Sequence, residues 1–216
     1  MKPLFDLCIF DWDGTMMCTT GAIIDSIRFT SGLQGYSVPD EATVRGAIGL
    51  GREDTMKTLV PECPRELWPV YEATYRERYI ALEQEIPLVS GMRELLRTLK
   101  ENGVKTAIAT GKSDRGLNRV LTAHNLLGFF DTTRTGAVRN PKPAPEMILE
   151  ILSELQIEKD RTVMIGDSTL DLKMAQNAGV AGIGVTYGAC YREELATLPN
   201  FGIVDNVAEL KDLLFS

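Results

Sequence analysis

Leu4-Phe5-Asp6-Leu7-Cys8-Ile9-Phe10-Asp11-Trp12-Asp13-Gly14-Thr15 is the stretch from which the chain's architecture is read. A largely apolar run of strand length, Leu4 to Phe10, empties directly into two acids. Asp11 and Asp13 therefore stand at the C-terminal end of the first predicted strand, the edge at which open α/β sheets keep their chemistry. Acids at i and i+2 of an extended segment project to the same side. Two carboxylates held that way repel unless a cation lies between them or one keeps a proton. The plainer alternative is a pair of solvated turn acids before Gly14, and the rest of the chain weighs against it.

Working outward, short β-branched or apolar segments recur at Val104 to Ala109, Thr162 to Ile165, Ala181 to Val185 and, weakly, Gly202 to Val204, with helical patterns between them. That alternation predicts an α/β fold with a Rossmann-like parallel sheet and helices on both faces. The interval between the first and second strands far exceeds the roughly dozen residues of a simple crossover. Residues from about 20 to 85 carry helical patterns, including the long segment Arg65 to Gln84, interrupted by Pro39, Pro61, Pro64 and Pro87. The expectation is an all-helical cap domain, residues 16–87, inserted into an α/β core made of 1–15 and 88–216. A helix from Met92 to Asn102 follows, with Gly103 as its stop. No internal repeat or low-complexity tract is present.

The 216 residues suffice for one good core with a modest insertion, or for two small domains. Lys and Arg total 23 against 30 Asp and Glu, a net charge of −7, so a broad phosphate-backbone footprint and a nucleic-acid partner are not expected. The apolar stretches are strand-sized, and no basic segment leads into a long hydrophobic run. A membrane span or signal peptide is not expected, and the chain reads as cytoplasmic. Cys8, Cys18, Cys63 and Cys190 are scattered without a CxxC pair, and His124 is the one histidine, so zinc chemistry is not expected. His124 itself reads as a structural or exposed residue of a helical stretch.

The later strands are followed by polar clusters of their own. Thr110-Gly111-Lys112-Ser113 offers a hydroxyl and backbone amides at a helix start, where a phosphate would be held. Asn140-Pro141-Lys142-Pro143-Ala144-Pro145-Glu146 places one cation at a helix entrance. In Gly166-Asp167-Ser168-Thr169-Leu170-Asp171, Asp167 marks a strand end and Asp171 the same face one turn later. Each has a bland reading alone: Thr110 as a helix cap, Lys142 as a solvated lysine, Asp167 as an N-cap. In this order along one sheet edge they supply carboxylates, a hydroxyl, a lysine and a hard-cation site, the components of phosphoryl transfer. Gly111-Lys112-Ser113 is not a phosphate-wrapping loop of the Walker type, because Thr106 stands where its first glycine is required. Gly182-Ile183-Gly184-Val185-Thr186-Tyr187 lacks the third glycine of a dinucleotide fingerprint and comes late in the chain.

DWDGT, ATGK, the lysine of NPKPAPE and GDSTLD, spanning Asp11 to Asp171, resemble the four ordered motifs of the haloacid dehalogenase-like hydrolase superfamily. The helical segment directly after the first motif resembles the cap of its phosphoglycolate phosphatase-like subfamily. The resemblance implies a magnesium-dependent phosphatase acting on a small phosphomonoester, phosphoglycolate-like or a sugar phosphate, through an aspartyl-phosphate. Asp11 would be the nucleophile, ionised without needing a base. Asp13 would be the general acid for the leaving alcohol and then the base for water. Mg2+ would be held by Asp11, Asp13 through its backbone carbonyl, and Asp167, with Asp171 orienting. Thr110 and the amide of Gly111 would grip phosphoryl oxygens, and Lys142 would neutralise charge there.

Asp13 separates the chain from the dehalogenases of the superfamily, which lack that acid. A sugar-phosphate mutase is the second reading, disfavoured because Met16 to Asp25 contains no histidine and position 166 is Gly. A phosphonate hydrolase needs a lysine on the cap, where Lys57 stands alone. A non-catalytic binding module has no need of a nucleophile together with its acid. The subfamily's usual acid after the first motif is Cys18 here, and Thr19 or Thr20 is placed to cap the first cap helix. Arg52, following two glycines, matches in position a cap arginine that meets the distal part of substrate in related mutases, and is set against a surface arginine opening a helix. Arg45, Lys57 and Lys112 are next in line. The expected partner is a small-molecule phosphate ester, with the chain a monomer or homodimer.

Overall fold

The computed structural model describes residues 2–136 and 140–215. Its centre is a six-stranded sheet of β1 (Leu7–Phe10), β2 (Lys105–Ala109), β3 (Thr132–Arg134), β4 (Thr162–Gly166), β5 (Ala181–Val185) and β6 (Gly202–Val204). The strand order is β3-β2-β1-β4-β5-β6 and every pairing is parallel. The chain steps outward from β1 in both directions, so β1 is the switch point at which the loops part to leave a crevice.

All four β1 residues are buried, and their alternation serves two faces. Cys8 and Phe10 join one apolar layer with residues of α5 (Met92–Glu101), α6 (Asp114–Ala123) and α10 (Val207–Leu214). Leu7 and Ile9 join the other, with α7 (Glu146–Leu155) and α8 (Thr169–Ala178). The short α9 (Arg192–Leu195) follows β5. Gly103 closes α5 at φ +75, a left-handed conformation that glycine adopts without strain.

Between β1 and α5 lie α1 (Thr20–Leu33), α2 (Glu41–Ala47), α3 (Arg52–Leu59) and α4 (Trp68–Glu83), with a 3-10 turn at Arg65–Leu67. This insertion has its own apolar clusters, one around Ile23, Ile27, Val44 and Leu59, another around Met56, Trp68 and Tyr71. The chain enters and leaves it side by side: Met17 pairs with Leu88, and Val89 N donates to Met16 O at 3.0 Å. Among the described residues no helix is long and apolar enough to cross a membrane.

Two details differ from the sequence reading. The first strand starts at Leu7, because Leu4 N is already engaged by Leu214 O at the end of α10. The strand β3 has no apolar run to announce it: Thr132, Thr133 and Arg134 pair on one side only, at the sheet edge, and are half-buried.

Candidate active site

Strand register brings the motifs together. Phe10 lies beside Ile108 of β2 and Ile165 of β4, and Asp11 N donates to Ile165 O at 2.9 Å. The residues just past these three strand ends, Asp11, Thr110 and Asp167, therefore meet at one edge. Lys142, ahead of α7, sends Nζ to 2.7 Å from Asp11 Oδ1 and 2.6 Å from Asp171 Oδ1, with all three side chains buried.

Asp11, Asp167 and Asp171 each offer a carboxylate oxygen within 4.8 Å of the others. Burial, followed by the nearby charges of Asp11 and Asp171, raises the Asp167 carboxyl well above its ordinary value. Asp11 is pushed up to about 6 by burial, against the pull of Lys142. Burial opposes the Lys142 charge too, but Asp11 and Asp171 outweigh it and hold the ammonium above the usual lysine value. Asp167 accepts from Thr15 Oγ1 at 3.1 Å and from Ala189 N at 2.6 Å. Asp171 spends its second oxygen on Ser168, accepting from the backbone N at 3.1 Å and Oγ at 2.6 Å, while Ser168 caps α8. The acids are cradled by glycines. A Cβ on Gly14 would come within 2.0 Å of Asp167 Oδ2, and one on Gly188 within 2.1 Å.

This donor set fits a hard divalent cation. All the available atoms are oxygens, the acids are held against mutual repulsion, and backbone without side chains surrounds Asp167. Asp11 and Asp167 are the two carboxylates best disposed to it: Asp11 meets Lys142 through Oδ1, Asp167 accepts from the neutral donors Thr15 Oγ1 and Ala189 N, and Asp171 divides its two oxygens between the Lys142 ammonium and Ser168.

The Asp13 side chain turns to a second network. Its carboxylate accepts from Thr19 Oγ1 at 2.8 Å, Tyr79 Oη at 2.8 Å and Lys112 Nζ at 2.9 and 3.0 Å. Burial alone would raise this carboxyl, but the charge and hydrogen bond of Lys112, with those from Tyr79 and Thr19, hold it below the ordinary value. Lys112 also meets Glu83 at 2.8 Å, and Arg119 pairs with the same buried glutamate, donating from Nε at 3.0 Å. Tyr79 and Glu83 belong to α4 of the insertion, whereas Lys112 and Arg119 belong to the sheet layer. The two parts of the molecule are thus joined through the second acid of the first motif.

The hydroxyl of Thr19 goes to Asp13, so although Thr19 holds the N-cap position of α1 it makes no side-chain cap bond there. Thr110 is buried, and its Oγ1 accepts from Lys112 N at 3.3 Å. Thr110 and Gly111 both line a cavity of about 360 Å³ that runs from Asp11, Asp13 and Lys142 up to α1, α3 and α4. Arg52 lines it as well, but its guanidinium is engaged: it forms a forked pair with Glu72 and lies over the Trp68 ring, 5.6 Å from the centroid. Arg45 contacts the sheet layer, donating to Gly188 O at 3.2 Å, beside the amide that holds Asp167. Lys57 pairs with Glu53 at the surface. All four cysteines are free, and Cys18 is exposed.

Tyr75, Tyr79 and Glu83 were not singled out from the sequence. Their i, i+4, i+8 spacing on α4 puts them on one helix face, a signal that reads equally well as ordinary core packing until the facing surface is known.

A profile described as haloacid dehalogenase-like hydrolase matches residues 8–185. Among curated proteins, the chain is 37% identical to one named "Probable phosphatase IndB" of Dickeya dadantii, over 97% of this chain and 92% of that one. It is 32% identical to a pyrophosphatase, PpaX, of Anoxybacillus flavithermus, over 95% of each chain. It is 27% identical to a phosphoglycolate phosphatase of Vibrio vulnificus, over 96% of this chain and 95% of that one. Among solved structures, the β-phosphoglucomutase of Clostridium difficile superposes with a TM-score of 0.82 at 21% identity, covering 95% of this chain and 93% of that one, a likeness of fold alone.

Proposed function

The chain belongs to the haloacid dehalogenase-like hydrolase family and is a phosphatase, and from that premise we propose that it hydrolyses a small phosphomonoester, with magnesium, through a phosphorylated Asp11. The observation that carries this reading is the buried set of Asp11, Lys142, Asp167 and Asp171 at the carboxyl edge of the sheet, opening into a cavity that the helical insertion covers.

Asp11 attacks phosphorus while the bond to the alcohol oxygen breaks, and the electron pair leaves with that oxygen. Asp13, held as a carboxylate by Lys112, Tyr79 and Thr19 in this arrangement, must first take up a proton, and in that form it supplies the proton to the departing alkoxide and is left as carboxylate. The same carboxylate then takes a proton from water as the water oxygen attacks phosphorus, releasing orthophosphate and restoring both acids. Lys142 keeps the Asp11 carboxylate oriented and offsets negative charge beside it. Thr110 and the Gly111 amide are suited to phosphoryl oxygens. A magnesium ion held by Asp11, Asp167 and the Asp13 carbonyl would draw charge from the phosphoryl group and position it for in-line attack. Residues 16–87 act as a cap over a core of 1–15 and 88–216, and closure excludes water from the phosphorylated carboxylate.

The experiment is orthophosphate release from 4-nitrophenyl phosphate by the full chain, with magnesium and after chelation, alongside Asp11→Asn. Turnover that needs the metal and is lost in Asp11→Asn is expected. Undiminished turnover by Asp11→Asn at saturating magnesium would remove Asp11 as nucleophile.

A further inference from the structure

The far end of the cavity is of a different character from the phosphoryl end. Ile27, Leu50, Met56, Leu59, Tyr75 and Tyr79 form its wall on the insertion side. The Tyr75 and Tyr79 rings are stacked, with centroids 5.8 Å apart and planes 15° from parallel. Tyr79 carries the Lys112 ammonium 4.8 Å from its ring centroid, while Tyr75 is half-buried against the cavity.

The cations in that wall are already matched. Arg52 is held by Glu72, Arg119 by Glu83, and Lys112 by Asp13 and Glu83. The lining cation without an acid partner among the described residues is Arg76, which is exposed to solvent. An anionic tail that met Arg52, Arg119 or Lys112 would have to displace a carboxylate from its own partner, leaving that carboxylate unpaired, and Arg76 offers only a solvent-screened charge at the surface, worth little. A volume of about 360 Å³ also exceeds what a phosphoryl group and a two-carbon tail occupy, and falls in the range of pockets that enclose whole small molecules.

Resting on the phosphatase reading above, we infer that the preferred substrate is a phosphate monoester bearing a flat, uncharged ring, which lies against Tyr75 and the aliphatic wall, in place of a short anionic tail such as that of phosphoglycolate. Ring and wall each lose apolar surface to water, and the aromatic shelf favours a planar group over an equally apolar branched one. The core grips the phosphoryl group alike in all esters, so the ring contact is where discrimination arises.

The test is a matched pair of esters, 2-phenylethyl phosphate and ethyl phosphate, which differ in the ring alone, with 2-phosphoglycolate as the anionic comparison. The expected result is kcat/KM for 2-phenylethyl phosphate at least tenfold above both others. A ratio near one, or preference for 2-phosphoglycolate, overturns the inference. The same question is put to binding with the unhydrolysable pair 3-phenylpropylphosphonate and propylphosphonate, titrated calorimetrically in magnesium. At least tenfold tighter binding of the ring compound is expected, and equal dissociation constants overturn it. A chain that hydrolyses no ester defeats the phosphatase reading, while the phosphonate pair still decides the ring site. Tyr75→Ala is expected to cut the ring-to-ethyl ratio at least fivefold and Tyr75→Phe to retain it. Tyr75→Leu reads the same ratio if the alanine variant does not fold, and an unchanged ratio in both refutes the placement against Tyr75.

Discussion

Lys112 sits between Asp13 and Glu83 with one ammonium serving both, and it is nearly inaccessible to water. Removing one member of a buried charge cluster leaves the others desolvated and unpaired, a loss of about 3–5 kcal/mol in comparable cases. Lys112→Met is therefore expected to lose about 3 kcal/mol of stability at pH 7, read from urea midpoints. The pH dependence follows from the sign of the Asp13 shift. Its carboxyl lies below the ordinary value when folded, so the pair contributes above that ordinary value of about 4 and the contribution fades as acid protonates Asp13. The gap between wild type and Lys112→Met should narrow as the pH is lowered through that range. A gap that stays constant down to the acid limit would mean that Asp13 is not the partner responsible. Gly188 is a second residue-scale case. A methyl group there would meet Asp167 Oδ2 at 2.1 Å, and the backbone beside it donates to the same carboxylate through Ala189. Gly188→Ala is expected to lose metal-dependent turnover while keeping its far-ultraviolet circular dichroism, because the displaced group is a single carboxylate and not an element of the core. Arg52→Ala, by contrast, removes a largely exposed pair with Glu72, and a stability change of at most about 1 kcal/mol is expected.

At the scale of elements, α8 shows how a helix start and a reactive cluster share residues. Ser168 accepts from Asp171 N at 3.3 Å, and Asp171 returns the contact through its side chain, a reciprocal capping arrangement. The cap leaves Asp171 Oδ1 to Lys142 alone. Ser168→Ala is expected to cost about 1 kcal/mol in chemical denaturation, the usual loss for an N-cap, with Ser168→Thr recovering most of it. Recovery absent in the threonine variant would place the cost in packing of the buried serine and not in its hydroxyl. The helix α4 has a comparable double use. Tyr71 packs in the insertion's own cluster and reaches the cavity, Tyr75 lines the cavity, and Tyr79 and Glu83 meet the sheet layer through Asp13 and Lys112. Movement of this helix relative to the sheet would alter the hydrogen bonds that keep Asp13 ionised.

For the molecule as a whole, the three buried acids gathered at the sheet edge share one buried cation, Lys142, and the carboxylate charge it leaves unbalanced opposes folding until a second cation joins them. Chelated protein is therefore expected to melt lower than protein in magnesium, with a gain of about 2.7 kcal/mol at a hundredfold excess over the dissociation constant. Asp167→Asn should raise the melting temperature of the chelated protein, since it removes a charge disfavoured by burial and by Asp11 and Asp171, and should abolish the gain on adding magnesium. Calorimetric melting of both proteins with and without the metal checks this, and an equal magnesium shift in Asp167→Asn would assign the ion elsewhere. The central architecture needed only the sequence. Apolar runs alternating with amphipathic segments have one good way to bury both faces of a sheet, and acids or hydroxyls placed just past each run are carried to the same edge by parallel pairing. Asp11, Thr110, Lys142 and Asp167 were legible for that reason, each lying within a few residues of a strand or helix end. The edge strand β3 was not, because a polar segment becomes a strand through its neighbour and not through its own composition. Nor was the use of the cationic and aromatic residues in the insertion. Whether Arg52 is free or held by Glu72, whether Lys112 faces solvent or bridges Asp13 to Glu83, and whether Tyr75 lies in a core or along a cavity all depend on what packs opposite. Such contacts join residues 20 to 99 positions apart, and local sequence carries the identity of a side chain but not the charge, ring or space that tertiary packing sets against it.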